Sequence, residues 1–242
     1  MAHLRGDEKT RYIGRMFGRI SRRYDLLNSF LSLGMHQVWR RQLAELATND
    51  LEGIALDLGT GTGDMAMALA KQSGINHVVG LDLSSQMILL AQKKGTQRQF
   101  SSSLTWLQGD AMQLPLKDGA FACATMGWGL RNMASITSAL QEMVRVVRPG
   151  GRVGVLDLTP LQTSPPLKFL AKWYMKEVVP FLGAFLGGNR EAYAYLPESL
   201  EYFPGAIELQ SLMRQCGLIN VVYRLSGFGT HAVHVGRVPR RF

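Results

Sequence analysis

The sequence predicts an α/β fold: a mostly parallel, seven-stranded sheet with helices on both faces and a C-terminal antiparallel hairpin. Three observations carry this. Short apolar runs alternate with segments of helical period from Ile54 to Leu158. The first run, Ile54–Leu58, ends in a glycine-rich turn, as a buried parallel strand does. Two runs near the end of the chain, Asn220–Leu225 and His231–Val238, lie close enough to pair as a hairpin.

The elements follow in order. Residues 12–33 read as a helix, because Ile13, Phe17, Ile20, Tyr24, Leu27 and Leu31 recur three or four positions apart on one face. Arg11, Arg15, Arg19 and Arg22 line another face. Residues 37–48 form a second helix. After strand Ile54–Leu58 come helix Met65–Gln72, strand His77–Leu83 and a helix to Lys94 for which Ser84 is the N-cap. Strands Leu104–Gln108 and Ala120–Met126 follow. Helix Ser135–Val147 is expected to stop at Pro149-Gly150-Gly151, before strand Arg152–Leu158. Beyond Pro160 the pattern changes to a helix at Leu167–Val179, an apolar glycine-rich segment, and a helix at Ile207–Cys216.

The 242 residues suit one α/β domain with appended elements, or two small domains. Hydrophobic residues are 46%, which supplies a core and excludes global disorder. Cys123 and Cys216 are the only cysteines, so neither a disulfide scaffold nor a cysteine zinc site is available, and a reducing cytoplasm is expected. The charged first 25 residues lack the apolar stretch of a signal peptide. Phe169–Leu186 is interrupted by Lys172, Lys176, Glu177, Pro180 and Gly183, so it cannot span a membrane. Of the net charge of +9, residues 1–41 supply +6, from nine basic residues and three acids. Such an arm favours an anionic partner, nucleic acid or an acidic membrane surface; a solvated helix face explains the same charges.

Asp57-Leu58-Gly59-Thr60-Gly61-Thr62-Gly63-Asp64 is a loop whose glycines let a ligand approach the backbone. A dinucleotide fingerprint needs glycine as its third member, and neither reading frame supplies it, since Asp64 or Ala66 falls there. The spacing Asp57-x-Gly59-x-Gly61-x-Gly63 resembles instead the first motif of class I S-adenosylmethionine-dependent methyltransferases. Asp82 ends the second strand, 19 residues after Gly63, where a carboxylate accepts hydrogen bonds from two ribose hydroxyls. Gly109-Asp110-Ala111 follows the third strand, where methyltransferases meet the adenine edge. After the fourth strand, Met126 to Asn132 lacks the N/D-P-P-Y/F tetrad of methylation at exocyclic amines, which favours a C- or O-acceptor.

A narrower resemblance rests on three separated motifs. Tyr24-Asp25-Leu26-Leu27-Asn28 with Ser32 to His36 and Trp39-Arg40 is the first, and Gly129-Leu130-Arg131-Asn132 the second. The third is Tyr193-Ala194-Tyr195-Leu196-Pro197-Glu198-Ser199 with Phe203-Pro204. Together they resemble the quinone-biosynthesis C-methyltransferases of the UbiE type, which act on demethylmenaquinol, demethylphylloquinol and polyprenyl benzoquinols. The resemblance implies S-adenosylmethionine as cofactor. Residues 1–50 would be a helical lid or arm, and 51–242 a Rossmann-like methyltransferase domain with a helical substrate insertion at about 160–206. Expected cofactor contacts are Asp57, Gly59, Gly61, Thr62, Asp82, Asp110, Ala111 and Gly127. The family often has serine where Gly127 stands, and Glu-Phe-Ser where Asp157-Leu158-Thr159 stands.

The implied reaction moves a methyl group to a ring carbon beside an ionised hydroxyl. Arg131 is the candidate that stabilises the phenolate and Asn132 the one that orients it; water, His36 or Tyr195 would accept the proton. No metal is called for. Trp128 at its strand end suits contact with a flat ring, while His231 and His234 read as structural. The expected partners are a prenylated quinol, an anionic membrane surface in transient contact, and a second copy in a homodimer, with no nucleic acid. The location is cytoplasmic, peripheral at the membrane. Two rivals stay open: an RNA methyltransferase, suggested by the basic arm, and a noncatalytic partner subunit that keeps the fold.

Overall fold

The computed structural model describes residues 6, 8–16, 18, 29, 32, 34–160, 198–227 and 229–240. Residues 8–16 are helical, so this helix begins before the apolar period that suggested it. Then come α1 (Met35–Thr48), β1 (Gly53–Leu58), α2 (Asp64–Ala70), β2 (Ile75–Asp82), α3 (Ser85–Gln97), β3 (Leu104–Gln108) and β4 (Phe121–Gly127). A 3-10 turn at Leu130–Asn132 leads to α4 (Ile136–Val146), β5 (Val147–Leu158), α5 (Ala206–Gln215), β6 (Ile219–Ser226) and β7 (His231–Arg237). Residues 161–197 lie outside the described set. The expected helix Leu167–Val179, Tyr195, most of the third motif and most of the insertion fall there; Tyr24–Asn28 of the first motif is also outside it.

The strand order is β3-β2-β1-β4-β5-β7-β6. The first five strands are mutually parallel. β7 is antiparallel to both β5 and β6, so the closing hairpin inserts its second strand beside the parallel sheet. Alternation along the strands divides the core. Leu56, Leu58, Met126, Val153 and Val155 pack with Leu140 and Met143 of α4 and with Leu209 and Met213 of α5. Ala55, Cys123, Leu156, Val233 and Val235 pack with Trp39, Leu43 and Ala44 of α1 and with Met65 and Leu69 of α2.

Capping matches the sequence. The Ser84 hydroxyl accepts from the Met87 amide at 3.4 Å, and that of Ser135 from the Ser138 amide at 3.1 Å. The stop of α4 differs from expectation. Helix passes directly into strand at Val147, and Pro149-Gly150-Gly151 lies inside β5, where the pairing with β4 slips between Phe121 and Cys123. Proline is tolerated at such an irregularity because no ladder hydrogen bond is asked of it. A Cβ on Gly151 would stand 2.4 Å from the Ala122 carbonyl oxygen, so only glycine lets the two backbones approach this closely.

Parallel pairing of β1 with β4 places Asp57 opposite Thr125. The Asp57 carboxyl is fully buried. It accepts from the Thr125 hydroxyl at 2.9 Å and from the Thr60 hydroxyl at 2.6 Å. Burial pushes its pKa up to about 7, against the pull of these hydroxyls and of Arg40. The folded chain therefore holds this proton where the unfolded chain has lost it, and stability from this group falls as pH rises from about 4 to about 7. Asp57→Asn has no such proton to lose. Its stability relative to wild type should rise by about 2–4 kcal/mol across that window, read as the difference in urea midpoints. A difference independent of pH would show that Asp57 is ionised in the folded chain.

Candidate active site

The carboxyl ends of β1 to β4 converge on a cavity with about 730 Å³ of unfilled space, including its open mouth. It lies at the place where α/β sheets bind ligands. Gly59 and Gly61 line it in the left-handed conformation, with φ of 59° and 56°. A Cβ on Gly61 would meet no protein atom within 4 Å, so the loop presents bare backbone to open space.

Asp82 also lines the cavity. One carboxylate oxygen accepts from the Gly61 amide at 2.8 Å and the other from the Ser84 amide at 2.9 Å. Burial raises its pKa, opposed by the amides of Ser84, Gly61 and Leu83. The carboxylate thus ties the glycine loop to the end of β2 and still faces the cavity. Asp110 and Ala111 line the next wall, and the Asp110 carboxylate closes its own turn by accepting from the Met112 amide at 2.8 Å. Leu83, Met87, Met112 and Met133 supply apolar walls suited to a flat ring. An acidic diol acceptor, bare backbone and apolar walls together fit the ribose, chain and adenine of S-adenosylmethionine.

Two expected contacts lie elsewhere. Asp57 is not on the cavity wall, because its pairing with Thr125 turns it under the loop. Thr62 is buried off the wall and accepts from Lys94 Nζ at 3.2 Å. Asp64, at the position a dinucleotide fold would give to glycine, pairs with Lys94 at 2.7 Å, Arg40 at 3.2 Å and Arg98 at 3.3 Å. Burial alone would raise its pKa, but these three cations hold it below the usual carboxylate range. The loop is thereby crosslinked to α1 and α3.

After β4 the chain turns sharply. Gly127, Trp128, Gly129 and Asn132 line the cavity. Trp128 has φ of 56°, rare for a side chain of this size. Its amide donates to the Leu156 carbonyl at 2.6 Å. Its carbonyl accepts from Arg131 Nη1 at 2.8 Å and from Asn132 Nδ2 at 3.2 Å. Three hydrogen bonds thus hold a strained residue at a strand end. Asn132 Oδ1 is buried without a partner.

Arg131 is not the free cation the sequence suggested. Its Nη1 forms a buried ion pair with Asp157 at 2.5 Å, and its amide donates to the same carboxylate at 3.2 Å. The guanidinium is off the cavity wall, and Nε is a buried donor without a partner among the described residues. His36 is buried in the first turn of α1, with Nδ1 2.7 Å from the Ser32 hydroxyl, and is also off the wall. Tyr195 lies outside the described residues.

The N-terminal helix lies beside the pocket as expected: Thr10, Ile13 and Gly14 wall the cavity, anchored by Lys9 Nζ donating to the Met133 carbonyl at 2.7 Å. Two other features escaped the sequence reading. Asp157 partners Arg131; a lone acid at the end of β5 was the available signal. Trp39, Trp128 and His231 form an aromatic cluster beside the site, its members brought together from distant positions. No described helix is long and apolar enough to cross a membrane.

Residues 5–238 match the model of the ubiE/COQ5 methyltransferase family. The chain belongs to this family. It is 41% identical to a demethylmenaquinone methyltransferase of Thermus thermophilus, over 93% of this chain and all of that protein. It is 34% identical to a ubiquinone/menaquinone biosynthesis C-methyltransferase UbiE of Dinoroseobacter shibae, over 96% of this chain and 93% of that protein. In fold it resembles a SAM-dependent methyltransferase of Thermotoga maritima, with a TM-score of 0.62 at 22% identity over 93% of this chain and 98% of that one. Family and fold make this chain an S-adenosylmethionine-dependent methyltransferase, and the dinucleotide alternative falls away.

Asp82→Ala should leave the chain folded and weaken S-adenosylmethionine by about 1–3 kcal/mol, the scale of lost charge-assisted hydrogen bonds. Calorimetry measures this directly. Unchanged affinity would remove Asp82 from the site, and tight binding of NAD by wild type would reverse the cofactor assignment.

Proposed function

We propose that this enzyme methylates a ring carbon of a prenylated quinol, with a demethylated naphthoquinol as the leading substrate. The observation that carries this is the full-length likeness to demethylmenaquinone methyltransferases. The strained Trp128 on the cavity wall supports it by offering a flat surface to a flat ring. Demethylphylloquinol and polyprenyl benzoquinols are the related acceptors.

The bound cofactor supplies an electrophilic sulfonium methyl group. Asp82 holds the ribose, Asp110 and Ala111 flank the adenine, and the walls fix the angle of approach. The acceptor carbon becomes a good nucleophile when its neighbouring hydroxyl ionises. A free phenol has a pKa of about 10, so the site must favour the oxyanion. Asn132, on the cavity wall, is the donor assigned to it, and Arg131, off the wall, adds its positive charge and holds the Trp128 carbonyl. Asp157 fixes the guanidinium, whose Nη1 also donates to the Trp128 carbonyl. The carbon–methyl bond forms as the sulfur–methyl bond breaks, and the ring hydrogen leaves as a proton to restore aromaticity. Water is the proton acceptor proposed; His36, off the cavity wall and bonded to Ser32, is not placed for that role.

A prenylated substrate resides in a bilayer, so the chain is proposed to work at an anionic membrane surface. The basic N-terminal residues contribute about 1 kcal/mol each to such attachment. A homodimer remains part of the proposal.

Arg131→Lys keeps a cation opposite Asp157 but loses the planar fork that holds both Asp157 and the Trp128 carbonyl. Turnover should fall at least about tenfold with cofactor affinity near normal, because a loosened Trp128 turn misplaces the ring and Asn132 in the transition state. Equal turnover would remove Arg131 from the oxyanion site. Substrate class is tested by mass spectrometry of wild-type reactions with demethylated naphthoquinols and benzoquinols in anionic liposomes, and with RNA. One added ring methyl on a quinol is expected. Methylation of RNA alone would overturn the proposal, and turnover unaffected by lipid charge would remove the membrane part.

A further inference from the structure

His231 opens β7 opposite Leu158, at the carboxyl end of β5, and so stands at the ligand-binding end of the sheet. Its ring lies 4.0 Å from Trp39 at 30° and meets Trp128, a wall of the cavity, nearly edge-on at 6.1 Å. Three aromatic side chains from α1, the turn after β4, and β7 thus cluster at this end of the sheet, and Trp128 is the member that reaches the cavity wall.

The hydrogen bonds fix the tautomer of this histidine. The Thr230 hydroxyl is 2.6 Å from the Gly227 carbonyl oxygen and 2.8 Å from His231 Nδ1. A carbonyl oxygen only accepts, so the single hydroxyl proton points at Gly227. The hydroxyl oxygen is then an acceptor toward the ring, and Nδ1 carries the imidazole proton. Nε2 is left with a lone pair and no hydrogen. It has no hydrogen-bond partner among the described residues, and it is not among the sealed unpartnered atoms.

The geometry points to His231 as the group that selects the reduced, hydroxyl-bearing ring over the oxidised, carbonyl-bearing one, an inference that rests on the proposed quinol substrate. A quinol hydroxyl donates to the Nε2 lone pair. A quinone offers only carbonyl lone pairs at the same place, and two acceptors facing each other in a half-buried site repel. Burial and then the charge of Arg131 hold the imidazole pKa down at about 3, so the ring stays neutral at physiological pH and Nε2 remains an acceptor. Selection then operates at binding, before and apart from the poor nucleophilicity of the oxidised ring.

The test compares binding of a short-tailed naphthoquinone and its hydroquinone, kept anaerobic, to the full chain saturated with S-adenosylhomocysteine, so that no methyl is transferred. Wild type should prefer the hydroquinone by about ten- to a hundredfold, as sites built around a substrate hydroxyl do. His231→Gln can turn its amide to accept or to donate, so the preference should fall to about unity while S-adenosylhomocysteine affinity is kept. Thr230→Val keeps the imidazole but frees its tautomer, and should erode the preference in the same way. Should His231→Gln fail to fold, Thr230→Val decides. An undiminished preference in the folded variants, with quinol turnover intact, overturns the role of His231 alone. Failure of wild type to bind either ring overturns the quinol substrate and this inference with it.

Discussion

Much of this architecture hangs on one buried carboxyl. Asp57 sits where β1 and β4 end side by side, joined through the hydroxyls of Thr60 and Thr125. Beyond it the two strands part, β1 into the glycine loop and β4 into the Trp128 turn, and the cavity opens between them. A carboxyl placed here is costly to ionise, and its pKa near 7 reflects that cost. In return it locks the register of the central strand pair and the start of the loop, so that Gly61 meets Asp82 and the loop amides keep their place.

The remaining geometry follows from strand order. β4 and β5 run parallel, so the strained turn after β4 and Asp157 at the end of β5 meet, and Arg131 is captured between them. Buried ion pairs of this kind contribute little net stability, but losing one partner strands the other charge. Here the pair also directs the guanidinium, so that Nη1 holds the carbonyl of the strained Trp128. Insertion of β7 beside β5 then carries His231 to the same end of the sheet, against Trp39 of α1. Groups from widely separated parts of the chain reach one site because parallel strands all deliver their carboxyl ends to the same edge.

The sheet was legible in the sequence, because buried parallel strands write themselves as short apolar runs and their helices as a longer period. So were Asp82, Asp110 and Ala111, each at or just past the end of a strand. What was not legible depended on pairing. Nothing in the run Ile54–Leu58 says that Asp57 will face Thr125 and turn from the cavity; that is a matter of register. Arg131 read as a free cation because its partner, Asp157, is 26 residues away on another strand. Alternation assigned His231 a face of the sheet; that it meets Trp39 and Trp128 at the ligand-binding edge depended on the pairing of β7 with β5. Pro149-Gly150-Gly151 read as a helix stop, when local propensity was overridden by a slip between β4 and β5.

The account stands or falls on where cofactor and ring sit relative to Asp82 and Trp128. A crystal structure of the full chain with S-adenosylhomocysteine and a short-tailed naphthoquinol tests this most directly. The expected result has both ribose hydroxyls on the Asp82 carboxylate and the quinol ring against Trp128, with its unsubstituted carbon facing the cofactor sulfur. A cofactor seated away from Asp82, or a ring seated away from Trp128, would contradict it.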